Sequence, residues 1–288
     1  MLPGTRFLLA AAVAACGVFG QSADAPRFAV ASIKPNAQGP ADFRGADPVR
    51  ILPGGRLLVE RAALRYFIQN AYGVKPFQLL GGPGWIDSTY YDIDAKAEGN
   101  PSPSEMRRMM QVLLEDRFHL KVRRETRQLP VYDLTVAKSG LKLPPSKPGS
   151  CLSPDPDAPP LPPAPGRPAP CGHILMMVSP AGARMIGGQA SMAELVRILS
   201  NVLGRMVIDK TGFTGTFDVH LEFSPDDSLG GLPTPAGPND PRVPTVPADP
   251  NHPTLFGALA EQFGIKVEAA KGPVEVIVID QVERPSSN

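Results

Sequence analysis

The sequence predicts an α+β fold assembled from duplicated helix-plus-β-hairpin units, and three observations carry that reading. Phe118–Val122 reads Phe-His-Leu-Lys-Val and Phe263–Val267 reads Phe-Gly-Ile-Lys-Val, so one short stretch nearly recurs. Each copy closes an apolar run at helical spacing and opens a run of strand-forming residues. Prolines are the third observation. The chain has 35, where average usage predicts roughly 14, and Pro144 to Pro170 holds twelve while Pro225 to Pro253 holds nine. Proline removes a backbone donor and is excluded from helix interiors and central strands, so both tracts read as linkers or long loops.

The elements follow in order. Arg6 precedes an apolar run from Phe7 to Phe19, then small and polar residues, which is the pattern of a secretory signal over 1–20. Two readings of this leader stand: simple cleavage after Gly20, or a lipoprotein-type signal at Val13-Ala14-Ala15-Cys16 that leaves Cys16 as a lipid tether. The first α+β half spans 28–143. In it Gly54-Gly55 precedes a strand and a helix carrying Leu64, Phe67, Ile68 and Ala71. Gly81-Gly82-Pro83-Gly84-Trp85 then leads into the strand Tyr91–Ala95. Ser102-Pro103-Ser104-Glu105 is a capping box with proline at the first helical position, followed by Met106, Met109, Met110, Leu113, Leu114 and Phe118 on one helical stripe. A hairpin is expected next, Leu120–Arg127 and Pro130–Val136 around a turn at Gln128-Leu129.

The second half spans 174–283 and repeats the plan, with a Pro-rich insertion at 225–253. Gly187-Gly188 precedes a helix with Leu195, Ile198, Leu199 and Val202, and Thr211–Gly215 leads into the strand Phe217–Leu221. Pro253 opens a shorter helix with Leu255, Leu259 and Phe263, whose stripe overlays Met110, Leu114 and Phe118. Its expected hairpin is Ile265–Ala270 and Pro273–Ile279 around Lys271-Gly272. The sum is four units in two halves, with mainly antiparallel sheets and helices on one face. A helix with one hairpin exposes its own apolar face, and a second copy supplies the surface that buries it.

Between the halves lies a Pro-rich linker, 144–173. Cys151 and Cys171 bracket it and form an even pair once Cys16 is assigned to the leader, so a disulfide is expected there. Closing such a loop contributes about 3 kcal/mol in the chain-entropy account. A metal site on Cys151, Cys171 and His173 lacks a fourth ligand and a paired Cys-x-x-Cys, so no metal is expected.

Composition and motifs narrow the function. A net charge of +1 excludes an electrostatic nucleic-acid partner. Beyond the leader no stretch is long and apolar enough to span a bilayer as a helix. His119, His173, His220 and His252 show no metal-chelating spacing, and no Gly-x-Ser-x-Gly, phosphate loop or dinucleotide fingerprint occurs, so no cofactor or catalytic residue is assigned. His119 stands where the other copy has Gly264, which marks it as a helix-end or strand-start residue. The run Lys121–Arg127 reads as a solvated strand face. The densest gathering of recognition-type side chains is Trp85, Tyr90, Tyr91, Asp92 and Asp94, the candidate ligand-binding set. Asp92 matches Asp218 in the other half, which favours a turn-capping role for it. Trp85 reads either as a stacking surface or as a core plug with its N–H on a carbonyl.

Several segments together resemble a known family. They are Gly81–Ile86, Tyr91–Ala97, Glu115-Asp116-Arg117-Phe118, Pro130-Val131-Tyr132, Asp209–Gly215 and Gly272–Asp280. In this order they are similar to a soil-associated, signal-bearing family of acidobacteria, a domain of unknown function. The resemblance covers nearly all of the mature chain and departs from the family in the two proline tracts. It implies no activity, and the appearance of similar domains beside membrane metallopeptidases of the antibiotic-sensing type implies a sensory or accessory role.

The reading is therefore an exported binding or accessory module, periplasmic or extracellular, for a peptide, glycan or envelope protein. A hydrolase whose site shows no motif is the alternative. Intact-mass measurement of the exported protein should give a chain starting near Gln21 with Cys151 and Cys171 oxidised to each other. A retained leader or two free thiols would refute this.

Overall fold

A computed structural model describes residues 25–40, 47–153, 168–179, 182–226, 229 and 252–285. The expected leader with Cys16, and the middles of both proline tracts, lie outside the described residues. The first-half elements are β1 (Val30–Asn36), β2 (Val49–Leu52), β3 (Arg56–Ala63), α1 (Leu64–Tyr72), β4 (Leu79–Gly81), α2 (Trp85–Ser88), β5 (Tyr90–Lys96), α3 (Pro103–Phe118) and β6 (Lys121–Val136). Then come β7 (Ile174–Ser179), β8 (Gly182–Ser191), α4 (Met192–Leu203), β9 (Val207–Asp209), β10 (Thr216–Phe223), α5 (Leu255–Ala258) and β11 (Ile265–Gln281). The result is a mixed α/β fold with mostly antiparallel sheets and few helices. Among the described residues no helix is long and apolar enough to cross a membrane.

The first sheet has the order β1-β5-β3-β2 and the second β10-β8-β7. At the free edge of β10, Pro145 bridges Phe217 in antiparallel sense, as Pro35 of β1 sits opposite Tyr91 of β5. The third sheet, β4-β11-β6-β9, runs between the two cores.

That third sheet corrects the sequence reading, because neither expected hairpin forms. β6 and β11 are single strands of 16 and 17 residues, and they pair antiparallel with each other from Ile265 opposite Val136 to Gln281 opposite Lys121. Gln128-Leu129 contains no residue suited to the positive φ of a tight turn. Gly272 has no positive φ. It is small for packing instead: an added Cβ would meet Ile208 Cδ1 at 3.0 Å and Val131 Cγ2 at 3.1 Å. The full-length pairing satisfies backbone groups that two separate hairpins would leave on open edges.

The helices end as the sequence implies. Ser102 accepts from the Glu105 N–H, and the Glu105 carboxylate accepts in return from Ser102, completing the capping box. His119 closes α3 in the left-handed region, at φ 47°, and Gly264 takes the matching place before β11 at φ 66°. Trp85, expected in an irregular loop, instead opens the single turn α2.

Two cores result. The first gathers Leu57, Phe67, Met110, Leu114 and Phe118 and takes Ile277 and Ile279 from β11. The second gathers Met185, Leu199, Phe217, Leu259 and Phe263 and takes Leu134 from β6. A smaller cluster of Val131, Val274, Val276 and Val278 lies along the long pair itself.

Phe118→Ala and Phe263→Ala should each lower stability by about 3–5 kcal/mol in urea titrations. Gly264→Ala should also destabilise strongly, since its Cβ would collide with the Gly140 carbonyl. His119→Gly should instead stabilise by about 1 kcal/mol, because glycine takes the left-handed cap without the Cβ clash. A stabilised Gly264→Ala variant would contradict this packing.

Candidate functional site

β5 separates the sequence-predicted site residues by strand alternation. Tyr91, Ile93 and Ala95 turn into the first core, while Tyr90, Asp92 and Asp94 face the other side of the sheet. Tyr91 is 2 % exposed, and its ring meets Phe118 edge-on with centroids 5.2 Å apart. Trp85 is half-buried against the same core, with the Arg284 guanidinium 5.0 Å above its ring. The structure therefore brings Asp92 and Asp94 together on one surface and places Trp85 and Tyr91 in packing contacts.

That surface is the outer face of the first sheet, hollowed into a depression of about 700 Å³ lined by Lys34, Asn36, Glu60, Arg61, Asp92 and Asp94 among others. A β-bulge shapes it. Register between β3 and β5 slips between Val59 and Ala62, and Arg61 sits there at φ 46°. An arginine in left-handed conformation is uncommon and needs support. Asp92 supplies it: one carboxylate oxygen accepts from the Arg61 N–H at 2.8 Å and the other from Asn36 Nδ2 at 2.7 Å. The second half repeats the device. Gln189 lies at φ 53° in a bulge of β8, and its N–H reaches Asp218 Oδ1 at 3.1 Å. Asp92 and Asp218 thus hold bulges on the neighbouring strand.

The remaining charges divide into paired and unpaired. Arg56 grips Asp94 with a two-pronged hydrogen bond, Nε at 2.9 Å and Nη2 at 2.6 Å, and holds its carboxyl below the ordinary range. Glu60 pairs with Arg50. Lys34 and Arg61 have no side-chain partner among the described residues. Sequence reasoning passed over both. The available signal was the alternation of β3: Leu57 and Val59 face the core, which would aim Arg61 inward, and an arginine at a core position implies a bulge that turns it out.

A second depression, about 620 Å³, includes Tyr72, Glu115, His119, Lys121, Gln281 and Glu283 in its lining. The basic run of β6 is largely neutralised by neighbours: Arg123 pairs with Asp280 and Glu125, Arg127 with Glu125, and Arg124 with Glu275. Among the described residues, no three His, Cys, Asp or Glu side chains gather as a metal ion requires. Cys151 and Cys171 are joined by a disulfide. A family model described as "Protein of unknown function (DUF3738)" matches residues 65–282. No curated protein and no solved structure matches the chain.

Burial alone would raise the Asp218 carboxyl, but the N–H groups of Lys147 and Gln189 and the Ser150 hydroxyl together hold it below its ordinary value. A depressed carboxylate contributes stability above its unfolded pKa of about 3.9 and loses it as pH falls through the lower folded value. Asp218→Asn should therefore melt below the wild type at neutral pH, with the two melting curves converging in acid. A gap that persists below about pH 2 would show that charge is not the cause.

Proposed function

The chain belongs to the DUF3738 family, and we propose that it is an exported, non-enzymatic binding or accessory module whose ligand occupies the outer face of the first sheet. The observation that carries this is the pair of unpartnered cations, Lys34 and Arg61, in an open depression whose carboxylates are already engaged. Groups tied up in holding a bulge or an ion pair do not act as general acids or bases; two cations without side-chain partners in a hollow still recognise a ligand. The disulfide supports export, since such bridges persist in oxidising compartments. Of the candidate set, Asp94 and Tyr90 face the ligand side and Asp92 shapes it, while Trp85 and Tyr91 stiffen the sheet from behind. An accessory role beside a membrane peptidase is one version of this reading.

We read the two halves as a duplication, supported by the matching order of elements, the two bulge-holding aspartates and the shared use of the long strands. The hydrolase alternative has one observation in its favour, the His119–Glu115–Tyr72 depression, whose lining offers no serine, threonine or cysteine nucleophile.

The test is a thermal-shift screen of the mature chain against peptides, oligosaccharides, peptidoglycan fragments and metal ions. At least one peptide or glycan should raise Tm, and Arg61→Gly should reduce that shift. Trp85→Phe should lower Tm while leaving the ligand-induced shift intact. Turnover of a peptide or ester substrate that is abolished by His119→Ala would favour the hydrolase.

A further inference from the structure

Among the described residues, every sheet edge but one is short, charged, interrupted by proline or covered. β1 carries Lys34 and Pro35, and β2 has four residues, one of them Arg50. β4 and β9 have three residues each, and Pro130 and Pro273 stand in the long pair between them. The β10 edge is met by Pro145, which bridges Phe217, and by the Pro144 carbonyl, which accepts from the Asp218 N–H. β7 ends the second sheet on its other side with Ile-Leu-Met-Met-Val-Ser, six residues without a charge or a proline. Charge, proline and shortness are the devices that keep an edge from pairing, and β7 has none of them.

Its backbone is poised to pair. β8 occupies one side of β7, from Ile174 opposite Gly187 to Ser179 opposite Gly182. In an antiparallel ladder alternate residues turn both backbone groups to the same side. Ile174 turns its N–H away from β8 and gives it to Glu194 Oε1 at 3.0 Å. Alternation then sends the N–H and C=O of Met176 and Val178 to the outer side, where no described residue bonds them. Val178 is also 48 % exposed, a large apolar side chain left in water.

The strand that fits this edge must be uncharged, because β7 offers no charge to pair with. The nearest side-chain charges, Arg184 and Glu222, already face each other on β8 and β10. A second β7 meets the requirement. Run antiparallel about a two-fold axis through Met177, Met176 bonds the partner's Val178 and Val178 bonds the partner's Met176. Met177 then faces the partner's Met177. The register centred on Met176 is closed, since it needs the Ile174 N–H that Glu194 holds. In the open register the exposed Val178 gains the partner's Met176 as a neighbour, and a flexible thioether packs well there.

We propose that two copies of this chain dimerise through β7, joining their second sheets into one continuous antiparallel sheet. The two-fold closes the association at two copies, so it does not propagate into a fibre. A single strand pair is smaller than the standard interface of about 1,600 Å², so the dimer should depend on protein concentration. It uses no residue of the first-sheet depression and so goes beyond the ligand reading.

The experiment uses the oxidised mature chain in sedimentation velocity over a concentration series. The mean mass should rise from one chain toward two, and added salt should not weaken the association. Val178→Lys, at an exposed position, should fold and remain a monomer, because it buries a charge opposite an apolar neighbour. Met177→Cys should cross-link two chains on oxidation through the introduced thiols, since facing residues of this pair lie within disulfide reach. Leu175→Cys should not, because the register places it opposite the partner's Ser179. If Val178→Lys fails to fold, the two cysteine variants decide the question. A monomer at every concentration up to about 1 mM would overturn the proposal. So would a dimer indifferent to Val178→Lys, or equal cross-linking by both cysteine variants. A monomer that binds a Thr-Val-Thr-Val-Thr-Val peptide, and loses it on Val178→Lys, would give the edge to a foreign strand instead.

Discussion

The antiparallel pairing of β6 with β11 is the constraint on which the rest depends. Each strand begins beside one core and ends in the other: β11 starts with Ile265 in the second core and delivers Ile277 and Ile279 to the first, and β6 delivers Leu134 to the second. Neither core closes without a strand that starts in the other half. At the midpoint Gln128 faces Pro273, and Phe118 stands to Phe263 at the same separation along the chain. The short parallel strands β4 and β9 cover only Ile277–Ile279 and Tyr132–Leu134. The middle of the ribbon is left without a flanking strand, which is where Pro130 and Pro273 sit, residues with no N–H to offer one.

Around that ribbon, local strain is placed where side chains can hold it. Arg61, Gln189 and His119 are the non-glycine residues at positive φ among those described. The first two are held by Asp92 and Asp218, and the third terminates a helix where its counterpart is glycine. Holding a bulge this way consumes a carboxylate that might otherwise do chemistry. It also frees a side chain, because the bulge swings Arg61 onto a face that strand alternation would deny it. Shape and charge on the first sheet thus have one origin.

The halves diverge in what covers their outer faces. In the second, the start of the first proline tract extends the sheet at the β10 edge through Pro145, and the turn at 147–150 then brings Ser150 and Cys151 over Gly188. In the first, β1 holds the matching edge, and Glu60 stands where the second has Gly188.

Local residues determined a good deal by themselves. The capping box at Ser102, the stripe from Met106 to Phe118, the helix-end place of His119 and the partnership of Cys151 with Cys171 were all legible, because each depends on neighbours in sequence or on a redox rule. The likeness of Asp92 to Asp218 was legible too, though not that each reaches across to a bulge. Tertiary structure alone decided the fate of the predicted hairpins. Whether Lys121–Val136 folds back or runs straight depends on which distant strand offers the longer ladder, and Ile265–Gln281 offers one along its whole length. It also decided that Tyr91 turns inward while Asp92 turns out, and that Arg61 joins Lys34 on an open face. A one-residue shift in register exchanges the two faces of a strand, and register is set by pairing across the sheet.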